Sequence, residues 1–237
     1  MGRAESARFP ILADAVIVNA EPGSEQGRLR AAALDLACRH GYARVTVDAL
    51  LERSGLCREA FERHYADAED CLIDVYRVAF EQLYERGRDA VGRQAGWRNQ
   101  LRAFSVATID FLREDRLRAR FLIVEVGPGG ERLRVAREAD LAKLCELIEP
   151  EPEETGAASG PLKPTDSLVG GVFMHLYRTI QRDRLDSAYD GIPEMLYSFV
   201  LPYLGEQAAL EELHRPVPTP GEWRTPYEEA ETPEAAT

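Results

Sequence analysis

The 237-residue sequence predicts an all-α protein. Apolar residues recur with the 3.6-residue helical period in several long segments. No pair of alternating segments offers the partners of a sheet. Glycine, proline and acidic residues fall where helix ends belong.

The elements follow in order. Leu29, Ala32, Ala33, Leu36 and Ala37 form one helix face, closed by Gly41. Between Gly41 and Tyr65 the pattern is two short helices about a tight turn. Thr46 caps the first, Ser54 and Gly55 break it, and the second starts at Cys57. Leu56 before that cap and Phe61 at the fourth helical position form a hydrophobic staple. Asp67 caps a longer helix carrying Leu72, Val75, Tyr76, Ala79, Phe80 and Leu83. Trp97, Leu101, Phe104, Thr108 and Phe111 mark a third face, and Leu141, Leu144, Cys145 and Ile148 a fourth. Phe121 to Val126 reads as a buried helix stopped by Gly127, Pro128, Gly129 and Gly130. Thr165 caps a fifth helix, with Leu168, Val172, Phe173, Leu176, Tyr177 and Ile180 on its apolar side, and Pro193 opens a sixth. Residues 149–164, with four Pro and four Glu, read as a mobile loop. Residues 214–237, rich in Pro and Glu, read as a disordered acidic tail. Residues 1–24 stand apart as an N-terminal extension.

Charge and composition narrow the function. A net charge of −12 argues against a protein that coats nucleic acid, but leaves room for a small DNA-reading surface. No apolar run reaches the ~18–20 residues that span a bilayer, and no signal peptide is apparent, so a cytoplasmic protein without a membrane partner is expected. Cys38, His40, Cys57, His64 and Cys71 crowd one region, yet their spacing matches no zinc module and they read as plain thiols and imidazoles. No phosphate loop, nucleophile elbow, zincin motif or triad is visible. Neither enzymatic activity nor a cofactor is expected.

The segment from about Leu29 to Leu72 resembles the N-terminal domain of the TetR (tetracycline-repressor) family of transcriptional regulators. The marks are Leu29, Ala32, Ala33 and Leu36, then Gly41-Tyr42, Thr46-Val47, Leu50, Ser54-Gly55-Leu56, Phe61, His64-Tyr65 and Glu69-Asp70 before Leu72. Residues 73–213 fit the family's helical ligand and dimerisation domain in number and order of helices. Leu168, Gly170, Gly171, Val172, Tyr177, Pro193 and Pro202 to Gly205 resemble one subgroup's last two helices.

The resemblance implies a helix-turn-helix DNA-binding domain over 25–72 and a ligand-binding and dimerisation domain over 73–213. Arg58 to Tyr65 would be the recognition helix, with Arg58, Glu59 and Arg63 at base edges or phosphates. His64 and Thr46 would meet phosphates. The sequence departs from the family at Glu62, where a phosphate-binding tyrosine is usual, and at Ala68, where a lysine is usual. Cys57 replaces the serine cap and Leu51 a small alanine. Seven arginines face nine acids between Ser24 and Leu72. Each lost cation–phosphate contact lowers DNA affinity and flattens its salt dependence.

In the second domain Tyr76, Phe80, Phe104, Thr108, Phe111, Phe121, Phe173 and Tyr177 are the candidate ligand-binding residues; Asp110, Glu125, His175 and Arg178 are charged or titratable residues beside apolar runs, and His175 reads as a core or interface histidine. Gly170 and Gly171 cost about 0.8–1.0 kcal/mol each inside a helix. That cost implies close approach of another helix, within the subunit or across a two-fold axis. With Leu196, Phe199, Val200 and Tyr203 they are the candidate dimer interface. The expected function is a homodimeric regulator that binds a near-palindromic operator, acts as a repressor and is released by a small, mostly apolar effector. The rival is a helical sensor or interaction module whose DNA binding is weakened or lost.

Overall fold

Ser24 opens the first helix of the computed structural model, which describes residues 23–155 and 164–227. Its hydroxyl accepts from Gly27 N at 3.1 Å and caps α1 (Glu25–His40). Leu29, Ala33 and Ala37 are fully buried on the inner face of α1. A single 3₁₀ turn (Tyr42–Arg44) leads to α2 (Val47–Ser54) and α3 (Arg58–Glu62). Gly55 joins these two in the left-handed region at φ 67°, which a side chain would strain. Arg28 locks the turn to α1 through its guanidinium, which donates to Ser54 O at 2.5 Å and Gly55 O at 3.2 Å.

Asp67 caps α4 (Ala68–Gly92) through Asp70 N, with Glu69 and Asp70 in the first turn. The domain boundary expected at residue 72 therefore falls inside α4, and the head shares this helix with the body. Two polar joints hold the head in place. Arg30 of α1 pairs with Asp74 of α4 at 2.7 Å, and the Tyr65 hydroxyl donates to the same carboxylate at 2.5 Å. Arg132 reaches back to Asp67 at 3.0 Å and to Asp70, while Tyr42 donates to Glu69 at 3.2 Å.

The body is built from α5 (Trp97–Glu114), α6 (Arg116–Arg120), α7 (Glu131–Ile148), a short α8 (Pro152–Thr155), α9 (Pro164–Gln181) and α10 (Ile192–His214). No strand occurs among the described residues. Phe121–Glu125 is helical as expected, but in the wider π form, continuous with α6. A 3₁₀ stretch, Leu185–Gly191, precedes α10, and Pro193 sits in the first turn of that helix. Gly205 breaks α10 with φ 81°. The fourth predicted face is the second half of α7, whose first half carries mostly exposed charge.

Two expected irregular segments are partly anchored. Glu154 in α8 accepts from Trp97 N at 2.8 Å, and Glu149 accepts from the Tyr203 hydroxyl at 3.2 Å. The rest of the loop, 156–163, lies outside the described residues. Residues 215–227 are not a loose tail but a strap along α5. Trp223 is buried at its centre, and Gln94 donates to Trp223 O and Thr225 O while accepting from Tyr227 N. Burial of one indole and satisfaction of the strap's backbone by side chains of the body overcome its low apolar content. Residues 228–237, and the extension 1–22, lie outside the described residues.

Candidate functional site

Three surfaces matter: α3, a cavity in the body, and the outer face of α9. On α3, Ala60 and Phe61 are buried at 1% exposure each, which fixes the opposite face outward. Arg58, Glu59 and Glu62 are exposed on it, and Arg63 and His64 continue the exposed surface as a turn. The helix is shorter than the expected Arg58 to Tyr65 rod: it ends at Glu62, and Tyr65 is turned inward by its bond to Asp74. Thr46 is exposed, and its hydroxyl already accepts from Ala49 N at 3.2 Å.

The cations of this surface all have acidic partners. Arg58 pairs with Asp48 at 2.7 Å. Arg63 pairs with Glu25 at 2.6 Å, and His64 Nε2 lies 3.2 Å from the other Glu25 oxygen. The hydrogen bonds from Arg63 and then His64 hold the Glu25 carboxyl below its usual range. A DNA phosphate would have to displace these exposed, weak pairs.

The body encloses a cavity of about 860 Å³, partly open to solvent. This lies within the usual range for small-molecule sites. Leu83 of α4, Leu101, Ser105, Ile109 and Leu112 of α5, and Leu141 and Leu144 of α7 line its inner walls. α9 and the 185–191 stretch close the other side with Val172, Leu176, Ala188 and the start of α10. Of the eight residues predicted for a ligand, Phe104, Thr108 and Phe173 line it. The Thr108 hydroxyl is buried there without a hydrogen-bond partner.

The other five belong elsewhere. Tyr76 and Phe80 stack at 5.9 Å on the side of α4 that meets α7, and Lys143 lies 6.0 Å over Phe80. Phe111 turns to the Arg118 guanidinium, 3.7 Å above its ring. Phe121 is fully buried in the π turn. Tyr177 is half-buried and accepts from Gln181 at 3.3 Å. An aromatic at helical spacing reports burial, and only tertiary packing decides which buried face has space beside it. Sequence reasoning missed Ser105, Ile109 and Ile123 in the wall and Arg182, Arg184, Asp190 and Glu194 on the rim. The spacing of Leu101, Ser105, Ile109 and Leu112 was the available signal. Of the four titratable residues beside apolar runs, His175, expected as a core or interface histidine, and Arg178 border the cavity, whereas Asp110 bonds Tyr189, Gly221 and Trp223 and Glu125 pairs with Arg120.

The predicted interface residues divide. Leu196, Phe199 and Val200 are buried within the subunit at 0–4% exposure, so they are core and not docking surface. Phe199 also borders the cavity. Tyr203 packs edge-on to Trp97 at 5.1 Å and shares a 2.6 Å hydrogen bond with Thr165. Gly170 and Gly171 are exposed, and a Cβ at either would meet nothing within 4 Å. No helix among the described residues packs on them closely enough to require glycine, although Gly171 borders the cavity. Met174, one turn on, is 48% exposed. Among the described residues no three His, Cys, Asp or Glu side chains converge as metal ligands, and no helix is long and apolar enough to cross a membrane.

The chain matches no family model and no curated protein. Solved structures do resemble it. The fatty acid degradation regulator FadR from Bacillus halodurans superposes with a TM-score of 0.62 at 17% identity, over 73% of this chain and 95% of that one. FadR from Bacillus subtilis, solved with stearoyl-CoA, gives 0.58 at 18% identity, over 75% and 97%. A putative TetR-family regulator from Syntrophomonas wolfei gives 0.60 at 11% identity, over 75% and 94%.

Proposed function

We propose that this chain, whose fold is that of TetR-family transcriptional regulators, is a ligand-responsive DNA-binding regulator. The observation that carries this reading is the pairing of an exposed α3, just before α4, with a mainly apolar cavity that α4 borders through Leu83. In this reading α3 enters a major groove, with Arg58, Glu59, Glu62, Arg63 and His64 toward the duplex and Thr46 toward a phosphate. A second copy docks on the outer face of α9 around Gly170 and Met174, and the pair reads a near-palindromic operator as a repressor.

The effector is an apolar molecule held in the cavity. FadR from Bacillus subtilis was solved with stearoyl-CoA, and an elongated ligand of that kind suits the long apolar walls here. Two elements connect cavity and head. α4 carries Leu83 at the cavity and Asp74 at the head joint. The π turn carries Ile123 at the cavity and packs on α1. An effector acts only through its different affinity for the two head positions, so repression is relieved if the filled cavity disfavours the DNA-bound spacing.

Selection from random duplexes with the full chain tests the DNA half. Recovery of a two-fold site, bound less tightly as salt rises from ~50 to ~200 mM, is expected. Recovery of no site favours the second reading, a helical sensor that does not bind DNA. One observation supports that alternative: Arg58, Arg63 and His64 are already matched by Asp48 and Glu25.

A further inference from the structure

We propose that the effector is an amphiphile with an anionic head group, and that Arg178, Arg182 and Arg184 receive that head. The proposal rests on the effector reading above and names the chemistry of its polar end.

Most arginines of the body are engaged with acids of the same chain. Arg98 and Arg102 hold Glu212, Arg116 holds Asp183 and Asp186, and Arg120 holds Glu125. Arg178, Arg182 and Arg184 differ. All three border the cavity, and none of their guanidinium groups has an ion-pair or hydrogen-bond partner among the described residues. They come from one seven-residue stretch, the last turn of α9 and the link that follows it.

No acid among the described residues forms an ion pair with them. Asp183 and Asp186 are taken by Arg116, at 2.9 and 2.6 Å. Asp190 and Glu194 also border the cavity, in the 185–191 stretch and the first turn of α10, and form no ion pair with the three arginines. His175 is the remaining titratable residue there. The site therefore has an apolar interior and an exposed margin where three arginines face two acids, a net positive charge. Guanidinium groups bind carboxylate and phosphate by paired hydrogen bonds, more strongly beside a low-dielectric wall than in bulk water. Inside, the unpartnered Thr108 hydroxyl offers one neutral hydrogen bond to an oxygen of the ligand. A hydrocarbon chain lying along Leu101, Ile109, Leu112 and Leu144 would place its anionic end at the arginine margin.

Calorimetric titration of the full chain with four C12 probes tests this: dodecanoate, dodecyl phosphate, 1-dodecanol and dodecyltrimethylammonium. The two anions are expected to bind about tenfold or more tightly than the alcohol. That preference should shrink with added salt. The order between carboxylate and phosphate identifies which head group the margin fits. An Arg178→Gln, Arg182→Gln, Arg184→Gln triple variant is expected to lose the preference and keep the affinity for dodecanol. These side chains have no hydrogen-bond or ion-pair partners among the described residues, so the variant should fold, as circular dichroism would verify. Equal binding of dodecanol and dodecanoate overturns the proposal while leaving an apolar effector intact. Tightest binding of the cationic probe overturns it in favour of Asp190 and Glu194. Binding of none of the four overturns it together with the effector reading.

Discussion

The indole of Trp223 donates to the Asp110 carboxylate at 2.9 Å, and this bond pins the C-terminal strap to α5. The same oxygen accepts from Gly221 N at 2.8 Å, and the other Asp110 oxygen accepts from the Tyr189 hydroxyl. One side chain thus joins the strap, α5 and the 185–191 stretch that closes the cavity. Trp223→Phe removes a bond to a charged acceptor, a loss of about 1.5–3 kcal/mol, and leaves a smaller ring in a buried site, which adds to that loss. A lower Tm, faster proteolytic cleavage within 215–227 and weaker effector binding are expected. Unchanged cleavage would show that the bond does not hold the strap.

The Tyr189 hydroxyl gives the strap a pH dependence. Burial, and then its bond to Asp110, push its pKa from 10 up to about 12. The folded state therefore holds a proton that the unfolded state releases. The associated stability is complete below pH 10 and is lost as pH rises through about 12. Burial moves Tyr65 and Tyr76 in the same direction, and takes Cys38 and Cys71 up to about 12. Urea midpoints should fall steeply above pH 10, and less steeply in Tyr189→Phe. An equal slope in the variant would remove Tyr189 from this account.

Glu25 occupies the two cations nearest the end of α3. Glu25→Gln should free Arg63 and His64, raise operator affinity and steepen its salt dependence. Arg63→Gln should reduce the slope of log K against log salt by about one unit. Both follow from binding curves at several salt concentrations. No change of slope in Arg63→Gln would remove this residue from the DNA contacts.

Gly87 allows the Phe104 ring to stand in the cavity wall. A Cβ added there would lie 2.7 Å from Phe104 Cε2. Gly87→Ala gains about 1 kcal/mol of helix propensity and meets an overpacking cost of about 1–3 kcal/mol. Effector affinity should fall as the ring shifts into the cavity, with stability changed by no more than about 2 kcal/mol. Retained affinity would mean that the ligand does not use this wall.

The outer face of α9 carries a separate expectation. Met174→Asp places a charge at the exposed residue beside Gly170 and Gly171, and should convert a dimer to monomer by light scattering without altering the monomer's helix content. A dimer that persists would move the interface off this face.

Much of the architecture was legible because its cues are local. Thr46 and Asp67 cap the helices they were expected to cap, and the Ser54-Gly55 turn separates α2 from α3. Phe61 is buried beside Ala60, while Arg58, Glu59 and Glu62 on the other side of α3 are exposed. The first half of α7 was illegible because a charged helix face carries little apolar period. The strap was illegible because composition averages over a segment, whereas Trp223 and Gln94 anchor it by single contacts.

Caps, turns and apolar period arise within a few residues of chain, so the sequence alone determined an all-helical protein with a helix-turn-helix head. Long-range packing decided the rest. It turned Tyr76, Phe80 and Phe111 away from the cavity, buried Leu196 and Val200 inside the subunit and brought three arginines to one margin. Each of those outcomes depends on which helix lies opposite, and helical period shows that a face is covered without showing by what.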